Sequence, residues 1–197
     1  MAAAQVARKT LSPAFPFSLK VAKGQVSLLV AEYDSTHFEQ AHHLFKQAAE
    51  AGDGYSMEEV EQETLKKKLV DARTLTFMEE KTQDVVCVLP ITDSPAVRST
   101  NGMLCTMFTV VDPRFRGQGL VRDAYKVGFP VSIDKGYFGV TARVALTARN
   151  IIPCLAVGGQ ITGTIPMCSN LEKVGYVDDV LAYMSHNLDR RMPDYNA

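Results

Sequence analysis

The chain has 197 residues, of which 46% are hydrophobic and 22% charged, and this is the composition of a folded globular protein. Its formal net charge of −1 excludes a general basic field, so we expect neither nucleic acid nor an anionic membrane as a partner. No apolar run approaches the ~18 residues that a membrane helix needs, so we expect no membrane span.

The N-terminal 25 residues carry basic side chains and no acid, which is compatible with an organelle transit segment. Pro13 and Pro16 would interrupt the amphipathic helix of such a segment. We therefore predict an N-terminal arm over residues 1–25 and a single domain over residues 26–197. A mitochondrial location stays open beside the cytoplasmic one that we favour.

The first elements of the domain are predicted to be a strand and two helices. Residues 26–33 are β-branched and apolar, as in a buried strand. Thr36 and Glu39 then have the spacing of a capping box, and apolar residues follow on one helical face. A second box, Ser56 with Glu59, predicts the start of the second helix.

The middle and end of the chain are predicted to be mostly strands. Apolar or alternating patterns predict strands over residues 73–79, 84–89, 103–111, 140–146 and 177–184, and a helix over 120–127. The stretch between the last two strands has no clear period, so it is predicted to be irregular. Consecutive strands followed by a helix crossover predict an α/β fold, with a mixed central β-sheet flanked by helices in one domain.

The four cysteines are widely spaced and form no C-x-x-C pair. No histidine stands at a zinc-site spacing from them, so we expect no metal. We predict free thiols, buried or partly buried, in a reducing compartment. The cysteines are Cys87, Cys105, Cys154 and Cys168.

The segment that follows the predicted strand 103–111 has the features of an anion-binding turn. Gly117 and Gly119 let the backbone approach a bulky anion, because neither has a Cβ atom. The predicted helix that starts at Leu120 offers unpaired N–H groups and the positive end of its dipole. Arginines at 114, 116 and 122 add positive charge to an otherwise neutral protein.

The run V-D-P-R-F-R-G-Q-G-L, residues 111–120, resembles the central motif of the GCN5-related N-acetyltransferases, V-x-P-x-[FY]-[RQ]-G-x-G-[ILV]-[GA]. The likeness covers residues 109–122 in motif and about 26–184 in the order of elements. It implies an acetyltransferase-like fold with acetyl-CoA as co-substrate. One position departs from the motif, since Val121 stands where the family has a glycine or alanine.

The resemblance also implies which residues hold acetyl-CoA. Backbone groups of the strand before the loop would pair with pantetheine, and the loop and helix start would surround the pyrophosphate, with Arg116 at the family's Arg/Gln position. The strand residues are Thr109, Val110 and Val111, and the loop and helix residues are Gly117, Gln118, Gly119, Leu120, Val121 and Arg122.

Catalytic residues are not identified by the motif. A late helix of the family often carries a tyrosine that protonates the CoA thiolate, and Leu171 stands at that place here. Cys168, Ser169 and Tyr183 are candidates to replace it. Either Asp178 or Asp179 could act on the amine, but not both, because neighbouring strand residues face opposite sides.

Several further polar residues have a functional and a structural interpretation. Tyr55, Asp93 and Arg98 could contact a small polar acceptor. The histidines at 37, 42 and 43 and the run 66–68 of lysines are more typical of a solvated helix surface than of a metal or anion site.

The resemblance implies acetyl transfer from acetyl-CoA to an amine, and we expect the amine of a small molecule or amino acid to accept the acetyl group directly within a ternary complex. A protein N-terminus or lysine is less favoured as the acceptor. Two alternatives remain, a catalytically silent CoA-binding regulatory module and a phosphate-binding domain unrelated to CoA. A homodimer is compatible with the sequence.

Overall fold

The computed structural model describes residues 11–21, 26–94, 104–146 and 151–185. These residues form four helices and nine strands. The helices are α1 (Phe38–Ala51), α2 (Gln62–Asp71), α3 (Leu120–Asp134) and α4 (Ile151–Ala156). The strands are β1 (Phe17–Val21), β2 (Val26–Glu32), β3 (Arg73–Glu79), β4 (Val85–Asp93), β5 (Leu104–Met107), β6 (Val110–Val111), β7 (Gly139–Ala145), β8 (Gln160–Leu171) and β9 (Gly175–Ser185).

The strands form one mixed sheet, which confirms the predicted fold class. Their order is β1-β2-β3-β4-β5-β7-β9-β8, and β6 pairs with β4 beside β5. Strands β5 and β7 run parallel, whereas the other pairs are antiparallel. Helix α3 connects β5 and β6 to β7, because two parallel strands need a long crossover.

Helices pack on both faces of the sheet, and each face has its own hydrophobic cluster. Val110 belongs to the cluster under α1 and α2, whereas Val111 belongs to the cluster under α3 and α4. Successive strand residues point to opposite faces, so this two-residue strand contributes to both clusters. Both α1 and α3 contact β4, which lies near the middle of the sheet.

The two predicted capping boxes differ in outcome. A short 3-10 helix, Ser35–His37, precedes α1, and the Asp34 carboxylate caps it by accepting from Thr36 N at 2.7 Å. The N-cap residue of α1 is His37, which makes no side-chain capping bond, so Thr36 does not cap α1. Ser56 and Glu59 do form the reciprocal pair of bonds, at 3.0 and 3.2 Å. They close a turn instead of starting a helix, and α2 begins only at Gln62.

The predicted strand over residues 103–111 is broken into β5 and β6, with Phe108 and Thr109 between them. The helix predicted over residues 120–127 continues to Asp134, past Gly128 and Pro130. A Cβ at Gly128 would lie 2.8 Å from Leu89 Cδ2, so the missing side chain lets α3 pack closely on β4. Tertiary contact thus extends a helix whose local sequence signals an end.

The stretch predicted to be irregular contains α4 and the long edge strand β8. Strand β8 is largely exposed and its pairing with β9 shifts register twice, which removes the alternation that predicts a strand. Within the predicted N-terminal arm, β1 pairs with β2, so the sheet includes residues before 26. Short, half-exposed edge strands have a weak hydrophobic pattern.

Candidate active site

A gap opens in the sheet where β5 and β7 separate. Among the described residues, the two strands pair only through 104–106 and 139–141. Beyond that point β6 pairs with β4 alone, while residues 142–145 of β7 pair with β9. The break at Phe108 and Thr109 turns β6 away from β7 and leaves a wedge between the strands.

The backbone of β6 presents hydrogen-bonding groups to this wedge. Asp112 N donates to Val86 O at 2.9 Å, and alternation along an antiparallel strand then directs the N–H and C=O of Val111 away from β4. Val111 O accepts from Arg116 Nε at 3.2 Å, and Thr109 O accepts from the Tyr55 hydroxyl at 2.9 Å. These carbonyls thus bond to side chains rather than to a neighbouring strand.

The loop after β6 is held by apolar anchors and has an open outer surface. Phe115 and Leu120 are buried, whereas Arg116, Gly117 and Gln118 between them are exposed. Gly117 and Gly119 have φ values of 75° and 84°, in the left-handed region that glycine tolerates best. A Cβ at Gly117 would meet nothing within 4 Å, so the space above the loop is free.

The N-terminus of α3 lies at this loop. Asp123 N donates to Gly119 O at 3.1 Å, and the N–H groups before Asp123 in the first turn have no carbonyl partner within the helix. These N–H groups and the helix dipole favour an anion. The Val121 side chain is half-buried and packs against the core cluster.

The three arginines near the loop have different partners. Arg114 pairs with Asp112 through two nitrogens, at 2.8 and 3.1 Å. Burial raises the pKa of Asp112, but the hydrogen bonds from Arg114 outweigh it and hold that pKa below its usual range. Arg116 contacts Asp53, and Arg122 contacts Asp123 at 3.2 Å, and both guanidinium groups remain about half exposed.

A cavity of about 600 Å³ adjoins the wedge on the side of α1 and α2. Its apolar lining includes Phe45 and Phe108, and Thr106 and Arg143 contribute from the two diverging strands. Tyr55 and Asp93, two of the three residues predicted to contact the acceptor, both line this cavity. The third, Arg98, lies outside the described residues. A second cavity of about 440 Å³ shares its wall at Arg143.

The structure distinguishes the two candidate aspartates. The Asp178 carboxylate accepts from Met167 N at 2.9 Å, at the exposed edge of the sheet. Asp179 is 1% exposed, lines the 600 Å³ cavity and pairs with Arg143. Arg143 was not predicted from the sequence, although a single arginine within an otherwise apolar strand is a signal that could have found it.

The place predicted for a catalytic tyrosine has a different structure. Leu171 is buried at the end of β8, so it is not on a helix at all. Of the proposed substitutes, Ser169 lines both cavities and Cys168 lines the smaller one, where its Sγ accepts from Arg143 at 2.9 Å. Tyr183 pairs with Thr141, at the end of β7 that is still joined to β5.

Two phenols that were not predicted as catalytic lie near the break. Tyr55 bonds to Thr109, and the Tyr125 hydroxyl on α3 accepts from Cys154 Sγ at 3.8 Å. Burial raises the pKa of both phenols. The helical position of Tyr125 on the buried face of α3 was the available signal, but it equally fits a core residue.

Two of the histidines at 37, 42 and 43, and two of the lysines at 66–68, have partners among the described residues. His42 Nε2 lies 3.2 Å from Val60 O, and His43 lies 2.8 Å from Gln47. Lys66 and Lys68 stand over aromatic rings, 5.8 and 5.9 Å from the centroids. Within the described residues no three potential ligands gather into a metal site.

The cysteines are free, three of them buried and Cys168 half-exposed. None of the helices in the described ranges is both long and apolar enough to cross a membrane.

Comparison with known proteins finds similarity to solved structures but not to any family model or curated sequence. A GCN5-related N-acetyltransferase from Kribbella flavida is similar in structure, with 16% identity, 80% of this chain and 97% of that chain covered, and a TM-score of 0.68.

Two further solved structures show the same likeness. A putative acetyltransferase from Salmonella typhimurium, solved with its cofactor acetyl-CoA, is 15% identical over 83% of this chain and 96% of its own, with a TM-score of 0.67. A putative phosphinothricin N-acetyltransferase is 11% identical over 81% and 98%, with a TM-score of 0.68. At these identities the likeness concerns the fold.

Proposed function

Because the chain has the fold of the GCN5-related N-acetyltransferases, we propose that it is an acetyl-CoA-dependent N-acetyltransferase acting on the amine of a small molecule or amino acid. The observation that carries the proposal is the wedge between β6 and β7, which opens beside a glycine loop at the N-terminus of α3. A strand edge and an anion site in this arrangement suit a ligand that has both an extended amide chain and a pyrophosphate.

The residues present fit acetyl-CoA in their chemistry. The backbone edge at Thr109–Val111 can exchange its side-chain partners for the amides of pantetheine. Gly117, Gln118 and Gly119 expose backbone N–H groups next to the unpaired first turn of α3, which suits a pyrophosphate. Arg116 and Arg122 are close enough in sequence and exposed enough to add charge-assisted bonds.

Val121 does not oppose this proposal. Its side chain packs inward, so the branched carbon atoms lie on the core side of the helix start. Leu120 likewise contributes a buried side chain and only its backbone N–H to the anion site.

Acetyl transfer to an amine requires a polarised thioester carbonyl and an acceptor nitrogen held next to it. Acetyl-CoA supplies the activated acetyl group when bound. A backbone N–H at the break between β5 and β6 can polarise the carbonyl. The 600 Å³ cavity is large enough for a small acceptor and reaches the same break at Phe108.

The second candidate is a CoA-binding module without catalysis. Leu171 favours it, because the position of the family's catalytic tyrosine is here a leucine on a strand. The phenols Tyr55 and Tyr125 favour it as well, because burial raises their pKa and neither then gives up its proton readily. Both candidates require acetyl-CoA binding, and they differ only in turnover.

Two measurements test the proposal. Isothermal titration with acetyl-CoA should give saturable binding that also raises the melting temperature. Release of free CoA thiol, followed across a panel of primary amines and amino acids, should show turnover with some of them. Binding without turnover by any amine favours the silent module, and absence of binding contradicts both candidates.

A further inference from the structure

The Asp179 carboxylate is buried, and one of its two oxygens has no hydrogen-bond partner among the described residues. Its side chain is 1% exposed, Oδ2 accepts from Arg143 Nε, and Oδ1 has no hydrogen-bond partner among the described residues. A buried carboxylate oxygen without a donor is costly, so a ligand that supplies the missing bond would be stabilised here.

The position of Asp179 results from the register of β7 and β9. Ala145 faces Asp179 and Arg143 faces Leu181, so Arg143 and Asp179 are diagonal neighbours on one face of the sheet. Both residues line the 600 Å³ cavity. The Arg143 side chain is 53% exposed, so it can rotate and open the carboxylate to the cavity.

The rest of the cavity combines an apolar wall with charged residues of both signs, Glu59, Asp71 and Asp93 beside Lys67 and Lys68. Phe45, Leu65 and Phe108 form apolar parts of its wall. The ammonium group of Lys68 already stands 5.9 Å from the centroid of the Phe108 ring, so the oxygen of Asp179 that lacks a partner among the described residues is the better site for the charge of a ligand.

We propose that Asp179 is the residue that binds the ammonium group of the acceptor, and that the acceptor is a primary amine carried on an aryl or alkyl body. This inference rests on the proposed function, since it assigns the acceptor side of the same site. One ammonium N–H satisfies Oδ1, and the apolar body lies against Phe45 and Phe108.

The test is calorimetric titration of 2-phenylethylamine, tyramine and hexylamine into the full chain saturated with CoA, so that no turnover occurs. Each amine is compared with its alcohol counterpart, in which a hydroxyl replaces the amine. We expect at least one amine to bind and its alcohol to bind about 10- to 100-fold more weakly, the factor for losing a charged hydrogen bond.

Asp179→Asn should weaken amine binding by a similar factor of about 10 to 100 and leave acetyl-CoA affinity unchanged. The matched control is Asp178→Asn, which makes the same chemical change at the next residue, on the other side of the strand. If Asp179→Asn does not fold, the comparison of amine with alcohol on the unmodified chain decides the question.

Three results would each overturn the assignment. An amine and its alcohol could bind equally, or no amine of the panel could bind. The third is an amine affinity in Asp179→Asn within about threefold of the parent. These outcomes leave acetyl-CoA binding, and with it the proposed function, intact. If the unmodified chain bound amines but did not bind acetyl-CoA, the proposed function would be overturned and Asp179 would still be supported as the ammonium site.

Discussion

The loop between β6 and α3 contains buried residues that anchor it and exposed residues that are free to meet a ligand. Phe115 and Leu120 are buried, Val121 packs on the core, and Arg114 is engaged with Asp112, so these side chains shape the loop. The backbone of Gly117–Gly119 is left at the surface, where it can meet an anion. The motif residues predicted to bind acetyl-CoA remain predictions, and a substitution at one of them offers a direct test.

Gly119→Val should reduce acetyl-CoA affinity at least about tenfold. Gly119 has φ 84°, and a left-handed conformation costs about 1–2 kcal/mol for a residue with a Cβ atom, so the loop would relax away from the observed shape. A Cβ would also lie 3.4 Å from Arg122 Nη2, on the side of the anion site. Isothermal titration with acetyl-CoA measures the loss.

Gly136→Val is the matched control, because Gly136 has φ 94°, follows the other end of α3 and has free space where a Cβ would lie. It should lower the melting temperature comparably and keep acetyl-CoA affinity. Equal affinity in both variants would contradict the placement of the pyrophosphate at residues 117–119.

At the scale of elements, the break between β5 and β6 determines where the site forms. The hydrophobic pattern of residues 103–111 is continuous, so it predicts one strand. Strand β4 pairs with both β5 and β6, whereas β7 pairs with β5 and, among the described residues, not with β6. Helix α3, which begins at the loop, is fixed on β4 and β5 by close packing at Gly128.

Gly128→Ala should destabilise the protein by about 1 kcal/mol, the net of two opposing effects. The new Cβ would lie 2.8 Å from Leu89 Cδ2 and 3.1 Å from Met107 Sδ, and overpacking of a core costs about 1–3 kcal/mol, against about 1 kcal/mol gained in helix propensity. Urea unfolding monitored by circular dichroism measures the change.

Gly163→Ala makes the same chemical change on β8, where a Cβ would meet nothing within 4 Å. Its unfolding free energy should stay within about 0.5 kcal/mol of the parent. If both variants were equally stable, α3 would not be packed against β4 as closely as described.

At the scale of the whole molecule, burial of thiols and phenols couples stability to alkaline pH. Burial raises the pKa of Cys105 to about 12, and burial together with the hydrogen bond to Asp93 raises that of Tyr137 to about 12. Burial also raises the pKa of Cys87 and Cys154. These groups stay protonated in the folded state at pH values where the unfolded chain has already released its protons.

The unfolding free energy should therefore fall as the pH rises above about 8.5, the ordinary thiol pKa, and continue to fall towards pH 12. The stabilisation is fully present below the unfolded pKa and is lost as pH approaches the folded one. Each thiol that ionises only in the unfolded state contributes a slope of about −1.4 kcal/mol per pH unit.

Urea unfolding between pH 7 and pH 10 with a thiol reductant measures this slope. Cys105→Ala removes one buried thiol and should make the slope above about pH 9 shallower by about 1.4 kcal/mol per pH unit, with little change near pH 7. An identical slope in parent and variant would show that Cys105 is not buried in the folded state.

Features that depend on neighbouring residues could be predicted from the sequence. Strand β3 begins and ends where its alternation predicts, Gly52 ends α1 in a left-handed conformation, and the glycine loop lies between a strand and a helix. Periodicity, turn chemistry and capping are local properties, so they can be recognised without knowledge of the fold. The mixed α/β class followed from the order of these elements.

The meeting of distant segments could not be predicted from the sequence and is visible in the fold. The wedge between β6 and β7, the extension of α3 past Pro130 and the cavity that gathers Tyr55, Asp93 and Asp179 each depend on contacts between segments far apart in the chain. The choice of Asp179 over Asp178 depends on the pairing register of β7 and β9. Register and burial are set by packing across the sheet, and no local pattern encodes which neighbour a strand will have.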